Sequence, residues 1–317
     1  MRDLRIVFMG TPEFAVASLD KLIKAKKNVV GVITAPDRPA GRGRQLKQSA
    51  VKQHAVAHNI PVLQPTNLKD PHFLEELRSL NANLQVVVAF RMLPEAVWKM
   101  PQYGTFNLHA SLLPAYRGAA PINWTIINGD TMTGATTFFI DEKIDTGEII
   151  DQRELAISST ENAGSLHDRL MALGSELLLE TVLNIEKGDV KTQPQPKSAQ
   201  THTAYKLTRE NTKIDWTKPT DEIFNLIRGL SPYPSAWCTL KNGDREDMVK
   251  IYEVEKIDTI DTLINTPGHI TIKDNEMYVT TGDGAIKIME IQLPGKRKMM
   301  VRDLLNGYVF VKNAKLL

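Results

Sequence analysis

The chain of 317 residues contains a single cysteine, Cys238, so it can form neither an internal disulfide nor a cysteine-based metal site. Such scarcity is typical of proteins that work in a reducing compartment. We expect Cys238 to be a structural residue without a functional role.

Long apolar runs are also missing. No stretch approaches the roughly 18 consecutive apolar residues that a membrane-spanning helix needs. Residues 1–3 lead directly into a strand-like run at residues 4–9, which leaves no room for a secretory leader. We therefore expect a cytoplasmic protein with no membrane partner, long enough for two domains.

The usual nucleotide-binding motifs are absent. The first predicted strand ends in Gly10-Thr11-Pro12 instead of G-x-G-x-x-G, and Pro12 lacks the backbone donor that a pyrophosphate would use. The sequence has no P-loop, and we identify no pair of histidines at the spacing of a metal site. A dehydrogenase or a metalloenzyme is therefore not expected.

Charge is nearly balanced, with a net charge of +2, but it is unevenly distributed. No acidic residue lies between Asp37 and Asp70, and this acid-free segment (residues 38–69) carries Arg38, Arg42, Arg44, Lys47, Lys52 and Lys69. A second basic region near the C-terminus contains Lys287, Lys296, Arg297, Lys298, Arg302, Lys312 and Lys315. Either region is explained by a solvated charged face or by a nucleic-acid interface.

The first half of the chain alternates short β-branched runs with helical patterns. This alternation predicts an α/β fold, with a Rossmann-like, mixed but mainly parallel sheet. Residues 134–140 and 148–150 are too close in sequence for a crossover helix, so we expect them to pair antiparallel at one sheet edge. A long amphipathic helix is predicted over residues 163–186, ending at Gly188.

A polar stretch divides the chain. Residues 190–203 are too polar to pack a core and predict a linker. Short alternating strands after it indicate a small β-barrel, which we expect to be OB-like. The predicted boundaries are residues 1–189 for a catalytic domain, 190–208 for the linker and 209–317 for the barrel.

One predicted strand ends in polar residues. Alternate side chains of a strand share a face, so Asn107 and His109 point together while Phe106 and Leu108 point into the apolar layer. An amide donor beside an imidazole suits a carbonyl that becomes a tetrahedral oxyanion. The alternative is a polar strand end whose hydrogen bonds are satisfied within the protein.

A carboxylate follows in Asp145-Thr146-Gly147, between the two strands expected to pair antiparallel. Close to His109, Asp145 would orient the ring and stabilise its charged form. An ordinary turn explains it equally well. An aspartic protease needs two such carboxylates, and the chain contains this tripeptide once.

Several motifs together resemble the family of methionyl-tRNA formyltransferases, within the folate-dependent formyltransferase superfamily. The resemblance covers essentially the whole chain. It is carried by residues 8–14 (FMGTPEF), 36–43 (PDRPAGRG), 107–114 (NLHASLLP), 117–122 (RGAAPI), 145–147 (DTG), 205–207 (YKL) and 214–216 (IDW).

The resemblance implies that Asn107, His109 and Asp145 form a catalytic trio. It further implies that 10-formyltetrahydrofolate, the formyl donor, lies against the turn formed by Ser111, Leu112, Leu113 and Pro114. The tRNA contacts are expected at Arg42, Lys47 and Lys206.

The implied activity is transfer of the formyl group to the α-amino group of methionyl-initiator tRNA, without a metal, by an enzyme expected to be a monomer. Two alternatives remain: formylation of a sugar nucleotide or other small amine, and a non-catalytic tRNA-binding module. The trio argues against the second, because a pure binding module has no physical need for it.

The chain departs from the family pattern at one place. Where the family commonly has Tyr-Gly before Leu-Pro, this chain has Phe90-Arg91 before Met92-Leu93-Pro94. This segment would line part of the folate pocket.

Overall fold

The computed structural model describes residues 1–40, 45–196, 201–257 and 266–317. Arg42, one of the expected tRNA contacts, lies outside this part of the chain. The elements in chain order are β1 (Ile6–Gly10), α1 (Glu13–Lys24), β2 (Val29–Ile33), β3 (Arg38–Ala40), β4 (Gln45–Lys47), α2 (Ala50–Ala57), β5 (Val62–Leu63), α3 (Pro71–Ser79), β6 (Leu84–Val88), α4 (Glu95–Trp98), β7 (Thr105–His109), β8 (Arg117–Gly118), α5 (Pro121–Ile127), β9 (Met132–Phe139), β10 (Ile149–Ala156), α6 (Ala163–Lys187), β11 (Thr203–Ala204), α7 (Thr220–Leu230), β12 (Ala236–Asn242), β13 (Arg245–Ile257), β14 (Ile270–Lys273), β15 (Glu276–Thr280), β16 (Ala285–Gln292), β17 (Met299–Met300), α8 (Val301–Leu305) and β18 (Lys315–Leu316).

The first half of the chain forms a seven-stranded sheet in the order β10-β9-β7-β6-β1-β2-β5. The pairs from β5 to β7 are parallel, and β7-β9 and β9-β10 are antiparallel. The predicted α/β fold with a mixed, mainly parallel sheet is therefore confirmed, as is the antiparallel pair at its edge. β7, the strand with Asn107 and His109, lies where parallel pairing gives way to antiparallel pairing.

Local sequence explains where several helices begin and end. The Asp70 side chain caps α3 by accepting the backbone N–H of His72, and Pro71 occupies the first helical position, where a missing N–H is harmless. The Ser49 hydroxyl caps α2 by accepting the N–H of Lys52. α6 ends at Gly188, whose φ of 81° is the left-handed conformation that glycine adopts without strain.

Helix α6 covers one face of β7 and β9. A side chain at Gly174 would place its Cβ 3.0 Å from a methyl group of Leu108, so the glycine permits close packing of helix on strand. The hydroxyls of Thr137 on β9 and Thr181 on α6 are hydrogen-bonded at 2.9 Å. Helix α6 therefore covers the face of β7 that carries Leu108, opposite to the face that carries Asn107 and His109.

The C-terminal strands form an antiparallel sheet in the order β14-β15-β16-β13-β12-β18. Its two ends meet, because the N–H of Ile270 donates to the carbonyl of Ala314 at 3.2 Å and that of Leu316 to Gly268 at 2.8 Å. The predicted β-barrel is thus confirmed. Cys238 lies fully buried in its core, and burial raises the pKa of the thiol to about 12, so it stays protonated and unreactive at neutral pH.

By its internal contacts the chain divides into two compact units. The first comprises Met1–Gly118, Met132–Ala156 and His167–Thr203, and the second Ala119–Thr131, Ile157–Leu166 and Ala204–Leu317. The predicted boundaries at 189 and 208 are single cuts in the chain, whereas this division also assigns the earlier segments Ala119–Thr131 and Ile157–Leu166 to the second unit. Among the described residues, no helix has the length and apolar character to cross a membrane.

Candidate active site

The carboxyl end of β7 presents Asn107 and His109 on one face of the sheet. Phe106 and Leu108, on the other face, are 0% and 3% exposed, so the apolar half of the alternation packs as the sequence indicates. The Asn107 side chain is half-buried and makes no hydrogen bond to any described residue. Its amide is therefore available to a ligand.

The imidazole of His109 is buried and held from one side. Its Nε2 lies 2.8 Å from the carbonyl oxygen of Tyr116, which can only accept, so Nε2 carries a hydrogen and donates it. In the neutral ring the lone pair is then on Nδ1. That nitrogen lies 3.9 Å from Oδ2 of Asp145, too far for a direct hydrogen bond but close enough for the carboxylate to attract the ring when it carries a positive charge.

Asp145 lies in the loop between β9 and β10, with its side chain only 14% exposed. Its Oδ2 accepts the backbone N–H of Gly118 at 2.9 Å, which fixes the carboxylate. Its φ of 56° is in the left-handed region, where aspartate is tolerated more readily than most residues. At Gly147 a Cβ would lie 1.6 Å from the carbonyl oxygen of Phe139, so only glycine fits this turn.

Gln195 holds the Asp145 loop from a segment that the sequence predicts to be a linker. Its amide nitrogen donates to the carbonyls of Asp145, at 2.9 Å, and of Gly147, at 2.8 Å. Its amide oxygen accepts hydrogen bonds from the N–H groups at both Nε and Nη2 of Arg117. Gln195 was not predicted from the sequence, because a glutamine in a Pro- and Gln-rich stretch carries no local signal of its partners.

The turn expected to contact folate is held by one hydrogen bond of its own and by side chains of β9 and β10. The Ser111 hydroxyl donates to the carbonyl of Ala115, and the backbone N–H of Leu113 donates to the hydroxyl of Thr136. The Gln152 amide donates to the carbonyl of Leu113. Leu113 itself is buried with Phe138 and Ile149, and its peptide bond to Pro114 is cis.

Arg91, at the departure from the family pattern, is tied to the loop after β5. Its guanidinium donates to the backbone carbonyls of Pro65 and, at 2.9 Å, of Thr66. Burial and then the positive charge of Arg38 lower its pKa, although the group remains charged at any physiological pH. The arginine therefore joins two loops at the carboxyl edge of the sheet.

The residues expected to contact tRNA are described in part. Lys47, on β4, and Lys206 are both exposed. In the same acid-free segment, Lys52 has its ammonium 2.6 Å from Asp37 and 2.7 Å from Gln64, and the hydrogen bonds of Lys52 and Gln64 to Asp37 are the main cause of the lowered pKa of that carboxyl. Lys52 is thus engaged within the protein, whereas Lys47 is open to a partner.

The basic region near the C-terminus likewise contains both ion-paired cations and cations without an acidic partner among the described residues. Lys287 is ion-paired with Glu276 and Glu255, and Lys298 with Glu290. The other exposed cations of this region form no ion pair with a described residue; they are Lys296, Arg297, Arg302 and Lys312. The surface available to a polyanion is therefore smaller than the sequence suggests.

Asn107, His109 and Asp145 together can support addition of a nucleophile to a carbonyl. An amide N–H stabilises the oxygen that becomes negative, and a neutral ring nitrogen accepts a proton. The nearby carboxylate stabilises the imidazolium that results. At 3.9 Å the carboxylate attracts that positive charge without a direct hydrogen bond.

Comparison with known proteins adds family matches over both halves of the chain. The Formyl transferase family matches residues 4–182, and the family Formyl transferase, C-terminal domain, matches residues 206–309. A protein of Flavobacterium johnsoniae named methionyl-tRNA formyltransferase is 58% identical over 315 residues, covering 99% of each chain. One of the same name from Bacteroides fragilis is 52% identical over 311 residues, covering 96% of this chain and 95% of the relative.

Solved structures share the fold at lower identity. The sugar 3N-formyl transferase WlaRD, crystallised with dTDP and 5-N-formyl-THF, has a TM-score of 0.61 and 21% identity, and the match covers 94% of this chain and all of WlaRD. HypX from Aquifex aeolicus, in complex with tetrahydrofolic acid, has a TM-score of 0.63 and 19% identity, covering 96% of this chain and 47% of HypX.

Proposed function

The chain belongs to the Formyl transferase family, and from this premise we propose that it transfers the formyl group of 10-formyltetrahydrofolate to the α-amino group of methionyl-initiator tRNA. The observation that carries the proposal is the 58% identity, over both domains, to a relative named methionyl-tRNA formyltransferase. The arrangement at the end of β7 supplies the groups that this reaction needs.

The reaction exchanges one carbon–nitrogen bond for another. The methionyl amine attacks the formyl carbon, and the carbonyl oxygen becomes the oxyanion of a tetrahedral intermediate. Collapse of the intermediate breaks the bond to the folate nitrogen, which takes up a proton as the amine loses one. The products are formylmethionyl-tRNA and tetrahydrofolate, and no metal is required.

Each member of the trio has a separate part in this reaction. The Asn107 amide donates to the oxyanion. The Tyr116 carbonyl keeps the hydrogen of His109 on Nε2, so Nδ1 accepts the amine proton and returns it to the leaving nitrogen. Asp145 stabilises the imidazolium formed between these two transfers.

The donor folate lies against the turn from Ser111 to Pro114 in this proposal. Because the Ser111 hydroxyl is bonded to Ala115 and the Leu113 side chain is buried against Phe138 and Ile149, the half-buried Leu112 and Pro114 are the side chains left for the ligand. The two buried residues then act by shaping the turn.

The function is tested by incubating the protein with 10-formyltetrahydrofolate and methionyl-initiator tRNA and detecting formylmethionine after mild hydrolysis. Parallel reactions contain free methionine, an amino-sugar nucleotide or elongator methionyl-tRNA. We expect efficient product formation with initiator tRNA alone. Faster formylation of the amino-sugar nucleotide would establish the alternative acceptor, and tRNA binding without product would establish a non-catalytic module.

Two exposed lysines are proposed to contact tRNA phosphates, and this makes a salt-dependent prediction. Replacing Lys47 and Lys206 together by alanine should raise the KM for methionyl-tRNA and leave the KM for folate unchanged. A plot of log affinity against log salt should become less steep, by up to about 0.9 for each duplex phosphate that a lysine no longer neutralises. Tritium-labelled tRNA binding at several salt concentrations measures both the affinity and the slope.

A matched control is the double replacement of Lys218 and Lys241 by alanine. Both are about half exposed, and each is already ion-paired, with Glu222 and Glu246 respectively. The control removes the same charge and should leave the salt slope as in the unmodified protein. Equal salt slopes for the unmodified protein and the two double variants would show that Lys47 and Lys206 do not contact tRNA phosphates.

A further inference from the structure

A cluster of two imidazoles and a carboxylate lies between α1 and α2, away from the trio. It consists of Asp20 on α1, His54 on α2 and His58, the residue that ends α2. We propose that this Asp20–His54–His58 cluster binds a divalent first-row transition metal ion, of which zinc is the representative case.

The geometry is close to that of a zinc site. One ligand atom from each residue lies within 4.8 Å of the other two. Oδ1 of Asp20 and Nε2 of His54 are 3.5 Å apart. Bonds of 2.0–2.1 Å at tetrahedral angles place ligand atoms roughly 3.3 Å apart, so this pair is almost at its final spacing. The His58 ring is exposed at the end of α2.

The histidine spacing favours a shared ion. His54 and His58 are four residues apart, which on a helix places two rings on one face. The expectation from sequence that no histidine pair has a metal spacing is therefore corrected here. The two ring centroids lie 4.4 Å apart, so the rings are direct neighbours.

The hydrogen bonding leaves the required nitrogen atoms free. Nδ1 of His58 is 2.9 Å from the backbone carbonyl of His54, which fixes the hydrogen on Nδ1 and leaves the Nε2 lone pair exposed. Metal-binding histidines commonly have their second nitrogen held by a carbonyl in this way. Nε2 of His54 is buried and has no hydrogen-bond partner within the described part of the chain.

An unpaired buried nitrogen is uncommon, and a bound cation would satisfy it. Lys24 is paired with Oδ2 of Asp20 at 2.6 Å, so Oδ1 remains for the metal. The positive charge of Lys24 disfavours a metal cation at Asp20. The Lys24 side chain is largely exposed, however, and can turn away.

The ligand set selects the class of metal. Two imidazoles and one carboxylate oxygen, with water completing the coordination, suit zinc, nickel or copper, whereas magnesium prefers oxygen ligands alone. None of the three residues belongs to the trio, so formyl transfer is expected to proceed without the ion. A bound ion would instead join α1 to α2.

The test uses the full-length protein, dialysed against EDTA and then titrated with zinc chloride in a calorimeter. We expect saturable binding of a single zinc ion per chain and a zinc-dependent rise in Tm. Replacing His58 by alanine, an exposed change that should leave the fold intact, should weaken zinc binding at least about tenfold. His54→Ala and Asp20→Asn should do the same, and magnesium should give no binding.

His72→Ala is the matched control. His72 is exposed and lies 3.8 Å from Glu76, another histidine beside a carboxylate, but it is outside the cluster. Its loss should leave zinc affinity and the Tm shift unchanged. Absence of zinc binding in the unmodified protein, or unweakened binding in His58→Ala and His54→Ala, would overturn the proposal.

Discussion

Replacement of Asn107 by alanine is expected to lower kcat by about 10²- to 10³-fold, corresponding to about 2.7–4 kcal/mol of transition-state stabilisation. The Asn107 amide lies beside His109 at the carboxyl end of β7 and makes no hydrogen bond to a described residue. Removing it therefore deprives the oxyanion of a donor and leaves no internal partner unsatisfied. Single-turnover formylation with saturating folate and methionyl-tRNA measures the effect on the chemical step.

Asn83→Ala is the comparison that separates catalysis from folding. The Asn83 side chain accepts the N–H of Arg5 and donates to the carbonyl of Asp3, at the opposite end of the strands. Its loss should reduce the free energy of unfolding by about 1–3 kcal/mol and leave kcat unchanged. Asn107→Ala should show the opposite pattern, a lowered kcat with an unchanged Tm. An unchanged Tm together with unchanged turnover would show that Asn107 is not an oxyanion donor.

Replacement of Asp145 by asparagine is the second change with a large expected effect, a loss of about 10²- to 10⁴-fold in kcat. The asparagine oxygen can still accept the N–H of Gly118, so the loop should keep its conformation. What is removed is the negative charge near Nδ1 of His109. Without it the imidazolium forms at a higher free energy, and the proton passes less readily from the amine to the leaving nitrogen. Single-turnover formylation again measures the rate of the chemical step.

Asp141→Asn provides the control within the same loop. Asp141 accepts the Thr146 hydroxyl and the N–H of Lys143, and asparagine can preserve these acceptors. The change removes one negative charge from the loop, as Asp145→Asn does, but Asp141 has no ion pair with His109. We expect a kcat within about tenfold of the unmodified enzyme. Equal losses in the two variants would mean that loop structure, and not the charge beside His109, limits the rate.

The positions of the trio residues in the fold could be predicted because each depends on local patterns. Alternation along β7 places Asn107 and His109 on one face, and the short connection from β9 to β10 brings Asp145 back to the end of β7. Periodicity and turn residues also locate α6 and its end at Gly188. These features depend on neighbours within a few residues, which a sequence shows directly.

Contacts between distant segments could not be predicted in this way. Gln195 reaches the Asp145 loop across about 50 residues of chain, and nothing in its local sequence indicates the two carbonyls that it binds. The pairing of Lys52 with Asp37 was also hidden, because counting charges along the acid-free segment ignores an aspartate just outside it. The assignment of α5 to the second unit is hidden for the same reason, since α5 packs against α7, far along the chain.

The four hydrogen bonds of Gln195 have a consequence for how this enzyme can be shortened or recombined. The sheet and its covering helices end at Gly188, so a fragment cut there retains all three side chains of the trio. It nevertheless loses the brace on the Asp145 loop, together with the backbone bond from Tyr116 to His202 that helps to position the His109 acceptor. We therefore expect the minimal catalytic polypeptide to extend at least through residue 202. Domain exchange with a relative should preserve the intervening chain and not treat it as a replaceable spacer.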